Sequence, residues 1–165
     1  MRIRPETAAD IDTIRALTEA AFAPMTFSDG DEQEVIDRLR ADGDLTLSLV
    51  AEDAGAVAGH VAFSPVTLGV PGEWFALGPI AVWPERQGAG LGRHLIEAGL
   101  DALRARNAAG CVLTGNPALY GRFGFRNDLG LTHRTTPEWA VQGLAFGSVR
   151  PTGEIRFAAG FGEGV

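Results

Sequence analysis

The stretch that most constrains this chain is LGPIAVWPERQGAGLGR, residues 77–93. It reads as a buried strand over Leu77 to Val82, a loop with three alternating glycines, and the first turn of a helix beginning near Leu91. A short apolar strand, Cys111 to Thr114, follows that helix, so the segment makes a βαβ unit with parallel pairing and a right-handed crossover. Gly88, Gly90 and Gly92 can take positive φ and let a ligand come close to the backbone. The helix start leaves several N–H groups without acceptors, and the macrodipole makes that end weakly positive. Together these form an anion site, most naturally for a phosphate or pyrophosphate, with Arg86 and Arg93 on its flanks. The competing reading is a glycine-rich turn that serves only helix–strand packing.

Two nucleotide fingerprints fail. Counted from Gly88, a G-x-G-x-x-G motif would need glycine where Arg93 stands, and no Gly-Lys-Ser/Thr run is present for a P-loop. Gly78-Pro79, inside the strand, carries a second message. Proline cannot donate to a ladder, so a central strand tolerates it only at a bulge. A bulge there splays the strand from its neighbour and opens a cleft.

The rest of the composition bounds the setting. With 165 residues, 45% of them hydrophobic, the chain suits one domain spanning 1–165. No apolar run approaches the ~20 residues of a membrane span. The opening MRIRPETAAD turns polar and acidic at once, unlike a secretory signal, so a cytoplasmic protein is expected. Cys111 and the scattered His60, His94 and His133 give no metal-ligand spacing, and Cys111, in GCVLTG, reads as a buried small hydrophobe. A net charge of −7 disfavours nucleic acid and mildly favours a cationic partner such as an amine, although solubility alone accounts for it equally well.

Taken in order, Arg2 to Pro5 is a first strand and Thr7 with Asp10 an N-cap arrangement. Ile11, Ile14, Leu17, Ala21 and Phe22 recur at helical spacing until Pro24. A second helix starts between Ser28 and Asp31, buries Val35, Ile36 and Leu39, and stops at Asp42-Gly43. Thr46 to Glu52 and Val57 to Val66 form a hairpin across Asp53-Ala54-Gly55, with Val57, Gly59, Val61 and Phe63 on one face and Ala58, His60, Ala62 and Ser64 on the other. Glu73 to Val82 returns as the fourth strand. In the next helix Gly92, Leu95, Ile96, Gly99, Leu100 and Leu103 make one apolar stripe. Glu138 to Phe146 and Glu154 to Phe157 read as strands, and the Gly-rich end from about residue 158 as mobile.

Gln87, Gly90 and Gly92 fit Q-x-x-G-x-G, and Tyr120, Gly124 and Phe125 fit Y-x-x-x-G-F in the correct order downstream. In these motifs the chain resembles the GNAT-type N-acetyltransferases over residues 2–126, most strongly over 77–125. Its wording (GHVAFSPV and GNPALYGRFGF) is similar to a bacterial branch of uncharacterised predicted acetyltransferases. The resemblance implies an α/β fold with a mixed, mostly antiparallel central sheet splayed at strands four and five and flanked by helices. It also implies acetyl-CoA as co-substrate, no metal, and a small-molecule or peptide amine as acceptor.

Carried residue by residue, the resemblance puts the pyrophosphate on the loop Arg86, Gln87, Gly88, Ala89, Gly90, Leu91, Gly92 and Arg93. The pantetheine arm would lie along Ile80, Ala81 and Val82, and the N–H of Val82 would polarise the thioester carbonyl. Tyr120 would protonate the departing thiolate, since a phenol with a reference pKa of ~10 is protonated at neutral pH. Phe22, Met25 and Phe27 sit where the family often borders its acceptor site. The sequence departs from the family twice. Phe75 to Pro79 contains no carboxylate for a base; His60, unless it is structural, could serve directly or through water, or the acceptor binds already deprotonated or loses its proton to a water chain. Asn116 lies only three residues ahead of Tyr120, so it reads equally as a cofactor contact and as a helix cap before Pro117. A non-catalytic acyl-CoA sensor is the alternative: the missing carboxylate favours it, and Tyr120 with an intact loop favours the enzyme. Thioesterase-like hydrolysis lacks an evident nucleophile. Pairing of two copies through the C-terminal strands is open.

Overall fold

The computed structural model describes residues 1–134 and 136–162. Among these residues eight strands and four α-helices follow one another as β1 (Arg2–Pro5), α1 (Ile11–Phe22), α2 (Glu32–Ala41), β2 (Leu47–Asp53), β3 (Ala56–Val66), β4 (Trp74–Val82), α3 (Leu91–Ala105), β5 (Gly110–Thr114), α4 (Pro117–Tyr120), β6 (Leu131–Thr132), β7 (Val141–Ala145) and β8 (Gly153–Glu154). Six strands form one sheet in the order β1-β2-β3-β4-β5-β7, and β6 with β8 forms a two-stranded annex. Only β4 and β5 are parallel within the main sheet; the other pairs are antiparallel. The fold is therefore the mixed, mostly antiparallel sheet with flanking helices that the sequence led us to expect. Among the described residues no helix is long and apolar enough to cross a membrane.

Each face of the sheet has its own cover. Helix α3 lays Leu91, Leu95, Ile96, Leu100 and Leu103 onto Val61, Phe63, Phe75 and Leu113. Its approach is close because Gly99 has no side chain: a Cβ there would stand 2.2 Å from the Phe63 ring. On the opposite face α1 and α2 bring Ile14, Ile36 and Leu17 against Val50 and Ala81. The hairpin between β2 and β3 turns through Ala54 and Gly55, both at positive φ, as a two-residue turn matched to strand twist requires. Asp10 accepts from the Thr7 N–H at 2.7 Å and from Arg4 at 2.7 Å, which ties the first turn to β1.

The face assignment of β3 needs one correction. Its pairing with β2 shifts between Ala51 and Glu52, so one extra residue is accommodated around Ala58. The alternation slips there: Ala58 joins the α3 side, and Val57 packs with Val50 and Ile14 on the other. Two C-terminal expectations also change. Glu138–Ala140 is a 3-10 turn leading into β7, and of the expected strand Glu154 to Phe157 only Glu154 lies in a strand, β8, while Arg156 makes an isolated bridge to Thr67. Residues 158–162 are packed rather than loose: Ala159–Phe161 forms a 3-10 turn on α2, where Arg38 Nε donates to the Gly160 carbonyl at 2.8 Å. Gly160 makes this possible, since a Cβ would meet Leu39 at 3.0 Å. The last residues of that expected mobile end, 163–165, lie outside the described residues.

Candidate functional site

The cleft begins where β4 and β5 part. They pair over Trp74, Phe75 and Ala76 with Gly110, Cys111 and Val112, and no further. Opposite Val61 and Phe63 the β4 register jumps from Ile80 to Leu77, which makes Gly78-Pro79 the bulge. The amide directions beyond it follow from the ladder. Trp83 N–H donates to the Ala58 carbonyl at 3.0 Å, so by alternation the backbone groups of Val82 and Ile80 face away from β3, into the gap. The Val82 carbonyl is taken by Gln87 Nε2 at 3.1 Å. That bond folds the start of the loop back over the end of β4.

From there the loop offers amides. Gly88 and Gly90 have φ of +84° and +86°, the left-handed region that favours glycine. Among the described residues the N–H groups from Gly88 to Arg93 donate to no acceptor, and the first paired one is His94, to the Gly90 carbonyl at 3.1 Å. His94 Nδ1 holds that same carbonyl at 2.7 Å. Gly92 departs from expectation: it sits in the first turn of α3 without positive φ. A Cβ there would meet nothing within 4 Å, so its value lies in leaving the groove open.

The cations are arranged differently from the sequence reading. Arg86 hydrogen-bonds Asp53 at the hairpin end and lines the groove from that anchored position. Arg93 is an exposed residue whose Nε lies 3.6 Å from Glu97 one turn on. Arg122, which sequence reasoning passed over, joins them along the groove. Three arginines thus surround the free amides of a chain whose net charge is −7. Ala89 sits in the loop but does not line the groove.

The cleft has two halves that share Met25, Ile80, Leu119 and Tyr120. The glycine-loop half, about 370 Å³, runs along Val82, Gly88, Gly90 and Gly92. The aromatic half, about 520 Å³, lies over Gly78 and Pro79 and is walled by Phe22, Phe27, Phe157 and Phe161. Tyr120 stands at the seam. Its ring meets Phe125 edge-on with centroids 6.1 Å apart, and Gly115 lets it settle, since a Cβ there would be 2.8 Å from the ring. Burial pushes its phenol above the ordinary tyrosine value, so it keeps its proton at neutral pH.

Asn116 acts as a cap: its Oδ1 accepts from Ala118 N–H at 2.9 Å, while the residue also lines the aromatic half. His60 is the clearest disagreement with the sequence reading. It is wholly buried, lines neither half, and its Nε2 lies 2.8 Å from Ser48 Oγ on the α1–α2 side of the sheet. Ser48 in turn bonds Glu6, which accepts from Arg40 at 2.8 Å. Burial pulls the His60 imidazole down to about 4. The strand alternation that put His60 beside Ser64 says nothing about which face holds the cleft. Cys111 is buried outside the cleft, and burial pushes its thiol up.

Sequence reasoning also missed Glu32, His133, Phe157 and Phe161 in the aromatic half. Glu32 had a sufficient local explanation as an acid at a helix start. The other three come from segments with weak periodicity, and only the tertiary fold gathers them.

The comparisons agree with this geometry. The family model of the acetyltransferase (GNAT) domain matches residues 2–127. In sequence the chain is 43% identical over 148 residues to YhbS of Escherichia coli K12, called an uncharacterised N-acetyltransferase, covering 88% of this chain and 84% of that one. A GNAT family acetyltransferase from Brucella melitensis, crystallised with acetyl-CoA, superposes with a TM-score of 0.86 at 46% identity over 98% of this chain and 97% of its own. The crystal structure of Escherichia coli YhbS with CoA gives 0.85 and 37%, over 97% of this chain and 91% of its own. With a family match over most of its length and relatives this similar, the chain belongs to the GNAT acetyltransferase family.

Proposed function

We propose that this protein transfers the acetyl group of acetyl-CoA to a primary amine by direct attack while both are bound. The observation that carries the reading is Tyr120 at the seam between the two halves, with free amides on one side and a separate chamber on the other. The pyrophosphate takes the N–H groups of Gly88 to Arg93, helped by Arg86, Arg93 and Arg122, and these donors cost no reorganisation because they are already unpaired. The pantetheine arm extends β4 through the backbone groups of Ile80 and Val82, and the Val82 N–H polarises the carbonyl. Relatives crystallised with acetyl-CoA and with CoA support this choice of carrier.

The amine approaches from the aromatic half. Holding the two reactants in line is the largest contribution, since effective molarities of ~10⁵ M or more are attainable. Attack forms the C–N bond and a tetrahedral oxyanion. Collapse breaks the C–S bond, and the thiolate takes its proton from Tyr120. Of the two protons the ammonium loses overall, one replaces that on Tyr120 and the other leaves to water.

The test combines calorimetric titration of acetyl-CoA with a panel of primary amines, following free thiol. Saturable binding with amine-dependent thiol release is expected. Binding without turnover across the panel would favour a sensor, and no binding would remove the carrier itself.

A further inference from the structure

The chamber that would receive the acceptor has an unusual make-up. Its walls are aromatic and thioether side chains drawn from the end of α1, the α1–α2 loop and the C-terminal segment: Phe22, Met25, Phe27, Phe157 and Phe161. Phe27 remains 80% exposed at the mouth, apolar surface that the protein itself leaves uncovered. Isolated exposed apolar residues are ordinary, but one continuous with a concave apolar wall marks a binding surface.

The charge of the chamber is equally particular. Among the described residues Glu32 is the sole carboxylate on its lining, and no arginine lines it. Glu32 Oε1 accepts from Ser28 Oγ at 2.6 Å, which fixes the carboxylate while leaving Oε2 without a partner among the described residues. The other titratable groups that could oppose a cation are His133 and Tyr120. His133 is held on both sides, with Nδ1 3.0 Å from Thr136 Oγ1 and its ring edge-on to Phe157 at 4.7 Å. Burial, reinforced by Arg134 and only partly offset by Glu154, pulls its imidazole below the ordinary value. At neutral pH it is uncharged, as is Tyr120, so the described lining carries one negative charge beside its aromatic wall.

We infer, resting on the transferase reading, that the acceptor is a primary amine borne on an aromatic or bulky apolar body, with Glu32 holding the ammonium as it enters. Polyamines and amino sugars fit poorly. Each would bury further charged or hydroxyl groups against phenylalanine, with only Thr114, Asn116 and His133, besides Glu32 and Tyr120, as polar side chains on the described lining to meet them. Glu32 here is a specificity residue: it attracts the cation, while the attacking form is the neutral amine that follows loss of one proton to water.

The experiment compares 2-phenylethylamine, spermidine and glucosamine as acceptors for the intact protein with acetyl-CoA. The inference expects kcat/KM for 2-phenylethylamine to exceed both others by ~10-fold or more, the size of discrimination that a few buried groups provide. Glu32→Gln should raise KM for 2-phenylethylamine by about tenfold, as loss of one charge-assisted hydrogen bond does, with the Kd of acetyl-CoA unchanged. Preference for spermidine or glucosamine, or an unchanged KM in the variant, would overturn the inference and leave the transferase reading standing. If no amine is acetylated, the transferase reading fails. Calorimetry of 2-phenylethylamine on the CoA-loaded protein then decides the chamber's ligand class separately: Glu32-dependent binding supports it, and no binding overturns it.

Discussion

The two halves of the cleft are made of different material. In the glycine-loop half the functional groups are backbone amides, and the chain arranges them through φ angles of two glycines, one helix start and one side-chain bond from Gln87 to Val82. In the aromatic half they are side chains brought together from α1, α2, β4, the β6 region and the C-terminal turn. A surface built of backbone takes any sequence that keeps the turn, and so serves a ligand common to a whole family. A surface built of side chains can change its ligand one substitution at a time without disturbing the sheet. On the proposed reading, the common carrier and the particular acceptor are thereby separated along one groove.

Tyr120 belongs to both halves, and the largest expected effect is there. Tyr120→Phe should lower kcat by ~100-fold or more, the range for removal of a positioned acid. The Kd of acetyl-CoA should stay within about twofold, because the ring and its Phe125 contact remain. Equal losses in kcat and in carrier affinity would mean that the phenol is part of the grip and not of the chemistry.

His60 supplies a contrast, being polar, buried and in neither half. Its imidazole lies at about 4 in the folded protein against 6.5 when unfolded. The unfolded chain therefore binds more protons between these values, and stability falls as pH drops through 6.5 towards 4, by roughly 3 kcal/mol at the lower end. Glu6 adds a loss of the same sign: burial pushes its carboxyl up, but the Arg40 and Ser48 hydrogen bonds outweigh this and hold it below the usual range. His60→Gln should flatten the dependence seen by urea unfolding at pH 7 and pH 4.5, while the pH profile of acetyl transfer keeps its shape. A shifted activity profile would return His60 to the mechanism.

The division between the halves is tested more directly by a reciprocal pair. Gly90→Val places a β-branched residue at φ +86°, a strain of about 1–2 kcal/mol, so acetyl-CoA binding should weaken by ~10-fold. Phe157→Ala should leave that binding alone and raise the acceptor KM. Carrier affinity that followed Phe157 as strongly as Gly90 would show the halves to be one site.

The same distinction explains what could be read from the residues alone. Helices α1, α2 and α3 follow from apolar spacing and the bulge from Gly78-Pro79, because these signals are local. The free amides follow from the glycine loop for the same reason. Simple alternation puts Val57 on the wrong face because the slip depends on how β2 and β3 pair, a fact neither strand carries by itself. The pairing of Arg86 with Asp53 is not legible until the fold sets the hairpin end beside the loop. Phe157 and Phe161 have no periodic context, and Gly160 reads as loose chain until Leu39 is underneath. Each of these depends on a contact between residues distant in sequence.

Asn116 gives the smallest effect and the finest division. Its Oδ1 is committed to the Ala118 N–H, so Asn116→Ala should cost about 1 kcal/mol, the usual worth of such a cap, seen as a lower unfolding midpoint. Asn116→Asp keeps the acceptor oxygen and removes the Nδ2 donor. A variant that retains stability but binds acetyl-CoA a fewfold more weakly would place Nδ2 against the carrier, although a new negative charge near it contributes in the same direction. Repeating the titration with dephospho-CoA separates the two. A contact confined to the pantetheine arm weakens both carriers equally, whereas repulsion of the phosphates is partly relieved when one of them is absent.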